Sequence, residues 1–222
     1  MNDLNFLFLR FSLCLIILVT GCSREAATEV PLIAAASSDE AASPARRVDW
    51  MAMEAFWMRS TKLRSIYTGP MDSSKHMLVF FDPDCPTCAK QWEILQPYID
   101  KVRIQWIPIA YMSKTSLGRA AAILAASDPS VALADNERNY DSEKKVGGYV
   151  IPKNLPDWAL EAVKRNTEEA MQTKDSPGTP TLGFELYNGK RYFRMFGMVD
   201  AGSMAVAVAE LGDTMDPWKH PQ

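Results

Sequence analysis

His76-Met77-Leu78-Val79-Phe80-Phe81-Asp82-Pro83-Asp84-Cys85-Pro86-Thr87-Cys88 is the stretch that decides how this chain folds. Met77 to Phe81 is a short apolar run of strand length, and Pro86 marks the first turn of a helix, where its missing N–H is not needed. The thiols of Cys85 and Cys88 therefore arrive at a helix N-terminus, one turn apart on one face. Unpaired N–H groups and the positive end of the backbone dipole favour thiolate over thiol there, so Cys85 is expected to have a depressed pKa and to act as a nucleophile. Cys88 is then placed to attack a mixed disulfide formed at Cys85 and release the partner.

Further along the chain, Arg103-Ile104-Gln105-Trp106-Ile107 reads as a second strand, and Leu117 to Ala126 as an alanine-rich helix closed by Ser127-Asp128-Pro129. A polar segment follows, with Asn136, Glu137, Arg138, Asn139 and the pair Gly147-Gly148. Pro156 to Gln172 has a helical pattern, apolar at Trp158, Ala162 or Val163, and Ala170. Thr181 to Tyr187 and Arg191 to Phe196 are β-prone runs joined by Asn188-Gly189, a strong two-residue hairpin signal. A last helix runs from Asp200 to Leu211, with Gly212 placed to cap it. Upstream, Val48 to Tyr67 reads as one helix, capped by Asp49 and ended by Gly69-Pro70; its Trp50, Phe56 and Trp57 are expected to pack on the domain, a dimer contact being the alternative. The order strand, helix, strand, helices, hairpin, helix gives an α/β domain with a mixed sheet covered on both faces.

The first segment has a different character. Residues 1–21 have the form of a signal peptide, with Arg10 ahead of an apolar run from Phe11 to Val19 that is too short to span a bilayer comfortably. Val19-Thr20-Gly21-Cys22 resembles a bacterial lipobox, which implies lipidation of Cys22, and Ser23 after it leans toward the outer membrane. Residues 22–47 are rich in Ala, Ser, Glu and Pro, too poor in large apolar groups to offset ordering entropy, and read as a flexible tether. Residues 48–69 then form a linker or packing helix, and residues 70–215 the catalytic domain. The formal net charge is -3 and no Lys/Arg cluster is present, which argues against nucleic acid as a partner.

A Cys-x-x-Cys between first strand and first helix, in this order of elements, resembles the thioredoxin fold, with a helical insertion between the second strand and the hairpin. In Ser176-Pro177-Gly178-Thr179-Pro180-Thr181, Pro180 stands just before the hairpin, where thioredoxin-like proteins keep a cis-proline. Asp82-Pro83-Asp84-Cys85-Pro86-Thr87-Cys88 together with Gly178-Thr179-Pro180-Thr181 resembles the catalytic domain of the bacterial DsbC/DsbG thiol:disulfide interchange proteins, over about Met77 to Leu211.

The resemblance implies a disulfide-exchanging enzyme of the bacterial periplasm, working in a reducing or isomerising direction on cysteine-containing exported proteins. It needs no organic cofactor, because the cysteine pair itself carries two electrons. It also implies a membrane redox partner that keeps the pair reduced. Thr179, before the proline, takes the place that pairs with a client's backbone in such proteins. Thr87 stands where these relatives usually carry tyrosine. Their N-terminal dimerisation domain has no counterpart in the short, polar Ser23 to Arg47, so a monomer is expected.

Other readings of the cysteine pair are weaker. Zinc needs four ligands, and His76 and His220 are the only histidines. A permanently closed Cys85–Cys88 bond in a non-catalytic envelope adaptor competes more seriously, although so small a loop removes little entropy from the unfolded chain. Asp82 and Asp84 are expected in exposed turn and capping roles, where their charge opposes thiolate formation at Cys85 while the helix end and the Thr179 hydroxyl favour it. With Pro86 and Thr87 they form the set of residues expected to tune the site.

Overall fold

The central strand β2 (His76–Phe81) is buried along its whole length, and its alternation divides the core in two. Met77, Val79 and Phe81 enter a large cluster with Cys85, Cys88, Trp92, Leu133, Met204 and Val208. Leu78 and Phe80 enter a smaller one with Phe56, Trp57, Ile107, Ile109 and Tyr192. Burying one such large side chain contributes roughly 1.5–3 kcal/mol, so a run that is apolar on both faces belongs in the middle of a sheet. The structure is a computed structural model and describes residues 49–172, 178–186 and 191–212. The leader, the tether, Cys22 and the Asn188-Gly189 turn lie outside the described residues.

The sheet has five strands in the order β1-β3-β2-β4-β5. β3 (Arg103–Pro108) runs parallel to β2, joined to it through α2 (Pro86–Leu95) and a short 3-10 turn at Gln96–Tyr98. β4 (Thr181–Leu186) is antiparallel to β2, and β5 (Arg191–Phe196) is antiparallel to β4. Between β3 and β4 come α3 (Ser116–Leu124), α4 (Pro129–Arg138) and α5 (Asp157–Met171); α6 (Ala201–Glu210) is the last element among the described residues, with Asp200 accepting from the N–H groups of Gly202 and Ser203. Among the described residues no helix is long and apolar enough to cross a membrane.

Several expectations are corrected here. The helix anticipated over Val48 to Tyr67 is shorter, α1 (Trp50–Ser60), and Ile66–Thr68 form an edge strand β1, antiparallel to β3. The Trp106 indole N–H donates to Thr68 Oγ1 at 2.9 Å, so a boundary at residue 70 cuts through the sheet. A three-residue strand is too short to carry a period of its own, whereas its pairing with β3 is a long-range gain. Phe56 and Trp57 pack on the sheet, but Trp50 is 44% exposed, with the Arg191 guanidinium over its ring.

The polar segment after Asp128 is the helix α4. Asp128 accepts from the N–H groups of Ser130 and Val131, and Pro129 occupies the first turn, so a pair expected to stop one helix starts the next. In α5 the buried stripe is Ala159, Ala162, Val163, Asn166 and Ala170, and Trp158, one position off that stripe, is half exposed.

Candidate active site

Two loops meet over the end of the sheet. One leaves β2 and carries Asp82 to Cys85 into α2; the other holds Thr179 and Pro180 ahead of β4, with the Thr179–Pro180 peptide in cis. Cys85 is the N-cap of α2, and both cysteines are free thiols, 2% and 1% exposed. Pro86 and Thr87 are exposed beside them.

The sulfur atoms have different company. Cys85 Sγ lies 3.0 Å from Thr87 Oγ1 and 3.4 Å from the Thr179 carbonyl oxygen, to which Thr87 Oγ1 also donates at 3.0 Å. Cys88 Sγ lies 3.0 Å from Thr179 Oγ1, and that oxygen accepts from the Asp82 N–H at 3.2 Å. The Thr179 hydroxyl thus serves the second cysteine, and the role expected of it at Cys85 falls to Thr87.

A hydrogen bond from the Cys88 thiol, aided by the Thr87 hydroxyl and by backbone donors at Cys88 and Thr87, outweighs burial and lowers the Cys85 pKa from 9.0 to about 6. Burial, and then the neighbouring Cys85, push Cys88 the other way, well above its ordinary value. One thiol is ionised at neutral pH and its neighbour keeps the proton. Iodoacetamide should therefore label Cys85 at a rate that rises through about pH 6 and levels off above it, with Cys88 silent below pH 9. Mass spectrometry of the labelled, reduced protein measures this; a single rise near pH 9 would contradict it.

Asp82 and Asp84, expected at the surface, are 0% and 2% exposed. Asp82 accepts from the N–H groups of Asp84, Tyr111 and Met112 at 2.9, 2.8 and 3.0 Å and from Ser116 Oγ at 2.7 Å. Asp84 accepts from Ser113 Oγ and Thr115 Oγ1, from Arg119 Nε at 2.7 Å and from the Gly147 N–H at 2.9 Å. Their environments pull in opposite directions. Burial raises the pKa of Asp82 despite its four donors. At Asp84 burial also pushes upward, but Ser113, Thr115, Gly147 and Arg119 outweigh it and hold the carboxyl below 3.8.

These carboxylates clamp the cysteine loop to the helical insertion. Asn136 Nδ2 adds a bond to the Pro83 carbonyl at 3.0 Å, and the Tyr140 hydroxyl one to the Asp84 carbonyl at 3.3 Å. A Cβ at Gly147 would lie 2.1 Å from Asn136 Oδ1 and 2.4 Å from the Pro83 oxygen, which explains a glycine where the insertion brings its N–H to Asp84. Tyr111, the cluster Ser113, Thr115, Ser116 and Arg119, and buried Glu137 went unread in the sequence. Burial pushes the Glu137 carboxyl well above its usual range, and Cys85 adds to the effect. The run Ser113-Lys114-Thr115-Ser116, dense in hydroxyls at a helix start, was the available signal for the cluster. Tyr111, 38% exposed, has its phenol pushed up to about 12 by partial burial and by the nearby cysteines, against a backbone hydrogen bond from Thr179. Among the described residues no group of three or more His, Cys, Asp and Glu side chains is placed to hold a metal ion.

No family model matches the chain. The thiol:disulfide interchange protein DsbG of Pseudomonas aeruginosa is 33% identical over 84 residues, covering 37% of this chain and 33% of that protein. DsbG of Escherichia coli is 27% identical over 128 residues, covering 57% of this chain and 50% of that protein, so the chain spans half or less of the curated relatives it matches. A periplasmic thioredoxin-like protein from Salmonella enterica serovar Typhimurium superposes with a TM-score of 0.54 at 18% identity, covering 74% of this chain and 98% of that one. That likeness is one of fold: a thioredoxin-like α/β domain with a mixed sheet.

Proposed function

We propose that this chain, which is similar over part of its length to the thiol:disulfide interchange protein DsbG, is a periplasmic thiol:disulfide oxidoreductase acting on cysteine-containing exported proteins, in the reducing or isomerising direction. The observation that carries the reading is the placement of two free thiols at the start of α2, Cys85 Sγ 3.4 Å from the carbonyl oxygen of Thr179 and Cys88 Sγ 3.0 Å from its hydroxyl, where the Thr179–Pro180 peptide is cis; the lowered pKa of Cys85 and the raised one of Cys88 agree with it.

The exchange balances within the pair. The Cys85 thiolate attacks one sulfur of a client disulfide, the Cys85–client bond forms, and the other client sulfur leaves as thiolate. Cys88 then gives up its proton and attacks Cys85 Sγ, closing the Cys85–Cys88 bond and expelling the second client thiolate. Two electrons have passed from the pair to the client, whose thiolates take up protons from Cys88 and solvent. Thr179 offers its main chain to an extended client segment, and Pro180 keeps that peptide against the sulfurs. Thr87, Asp82, Asp84 and Pro86 set the local field and the position of the loop.

Strongly oxidising pairs have a nucleophile pKa of roughly 3.5, so a value near 6 leans toward reduction or isomerisation. A membrane redox partner returns the pair to the dithiol, and lipid on Cys22 holds a monomeric chain at the membrane, the outer one being favoured. The catalysed reduction of insulin by dithiothreitol tests the proposal: acceleration is expected, and none at all would favour an adaptor whose Cys85–Cys88 bond stays closed.

A further inference from the structure

We propose that the Thr87 hydroxyl is a one-proton switch that surrenders the Thr179 carbonyl to a client's backbone N–H when Cys85 ionises, so that client docking and thiolate formation promote each other. The inference rests on reading Cys85 as the exchanging thiol and Thr179 as the docking backbone.

Thr87 Oγ1 is 3.0 Å from Cys85 Sγ and 3.0 Å from the Thr179 carbonyl oxygen, and a hydroxyl has one proton for these two acceptors. While Cys85 is a thiol the set closes on itself. The thiol proton goes to Thr87 Oγ1, or to the Thr179 oxygen at 3.4 Å, and the Thr87 proton goes to the Thr179 oxygen. Removing the thiol proton leaves one proton among three electron-rich atoms. A hydrogen bond to an ionised acceptor is stronger than one to a neutral carbonyl, so the hydroxyl turns to sulfur.

The Thr179 carbonyl then loses the Thr87 donor, and the Cys85 donor as well where the thiol proton had been on this oxygen, and it faces a thiolate. Thr179 is 9% exposed, and a carbonyl so placed needs a replacement donor. An extended client strand carries one in every non-proline N–H. Thr87 stands exposed at the mouth of the site while Cys85 is 2% exposed, so the client meets the hydroxyl and the carbonyl on its way to the sulfur.

The other titratable groups around Cys85 come from four places: Asp82 and Asp84 from its own loop, Cys88 from α2, Tyr111 from the segment after β3, and Glu137 and Tyr140 from α4 and its end. Tyr111 meets the same residue through a backbone hydrogen bond from Thr179. Thr87 links the sulfur directly to the Thr179 oxygen, and its side chain does not titrate, so removing its hydroxyl adds no charge of its own.

Linkage makes the coupling measurable, because a client that binds the ionised form better binds more tightly as pH rises through the Cys85 transition. The probe is an acetylated, amidated decapeptide with serine in place of cysteine and no group titrating between pH 5 and 8. Its dissociation constant is measured by NMR titration of the reduced full chain at both ends of that range. The wild type and Thr87→Ser should bind it roughly fivefold or more tightly at pH 8 than at pH 5, and Thr87→Val should change less than about twofold. The same pH dependence in Thr87→Val as in the wild type would overturn the switch, as would no dependence in the wild type or no binding at either pH. Insulin reduction is followed in parallel. A wild type that reduces insulin without the coupling sinks this inference alone, whereas one that neither reduces insulin nor forms a mixed disulfide at Cys85 sinks the functional reading beneath it.

Discussion

Cys85→Ala is expected to lose the catalysed reduction of insulin entirely, and Cys88→Ala to convert turnover into trapping, with clients accumulating as covalent adducts of Cys85. The asymmetry follows from the two ionisation states. At pH 7 a thiol with a pKa of about 6 is mostly thiolate, so Cys85 attacks without help, whereas Cys88 is held protonated by burial and reacts once an adduct stands beside it. Its advantage is proximity: a well-oriented intramolecular nucleophile has an effective molarity of roughly 10⁵ M or more, against millimolar thiol in solution. Without Cys88 the adduct waits for a solution thiol, and its lifetime lengthens by up to roughly 10⁸-fold, the ratio of those two concentrations. Non-reducing gels of cells carrying Cys88→Ala should show adducts that disappear in the double variant Cys85→Ala, Cys88→Ala. Adducts persisting in the double variant, or none in Cys88→Ala, would remove Cys85 from its assigned role, and the trapped proteins identify the clients.

Arg119→Met is expected to cost about 3–5 kcal/mol of folding stability, although Arg119 does not touch either cysteine in the contacts described above. Its partner Asp84 has a side chain 0% exposed, and the guanidinium, itself 10% exposed, donates to it at 2.7 Å and also to the Tyr149 carbonyl. Taking away the cation leaves a buried charge with neutral donors alone. For a domain of this size that corresponds to a fall in melting temperature of roughly 10 °C, read by circular dichroism. A loss under about 1 kcal/mol would mean that Asp84 is solvated in a way its burial contradicts.

The acid limb of the stability curve gives a second reading of the same pair. Asp84 has its folded pKa held below 3.8, so its contribution is present above that value and is lost as pH falls through the folded pKa. Weakening the depression in Arg119→Met moves the onset of acid unfolding to higher pH. Asp82 works with the opposite sign: its raised pKa means that charging it is costly in the folded state, and protonation relieves that cost as pH falls.

Cys85-Pro86-Thr87-Cys88 was legible because each signal in it is local: an apolar run, a proline fit for a first turn, and two sulfurs one turn apart. Thr179 and Pro180 come from the resemblance; the Thr179 hydroxyl expected at Cys85 lies at Cys88, and it is the Thr179 carbonyl oxygen that meets Cys85. Which of its oxygens meets which cysteine depends on how two segments about ninety residues apart cross, with Thr179 Oγ1 bonded to the Asp82 N–H. Asp82 and Asp84 were misread for a related reason. Beside proline and cysteine a carboxylate looks like an exposed turn residue, and donors supplied by other segments make the burial tolerable: the Tyr111 and Met112 N–H groups and Ser116 for Asp82, and Ser113, Thr115, Arg119 and Gly147 for Asp84. The α4 helix and strand β1 were missed because a polar helix and a three-residue strand draw their stability from long-range packing and pairing. By itself, then, the chain's order of residues determined the strand, the helix start and the placement of two thiols one turn apart. Tertiary structure alone decided which carboxylates are buried, which hydroxyl serves which sulfur and what the Thr179 carbonyl bonds to, since a donor's partner is set by proximity in space and not along the chain.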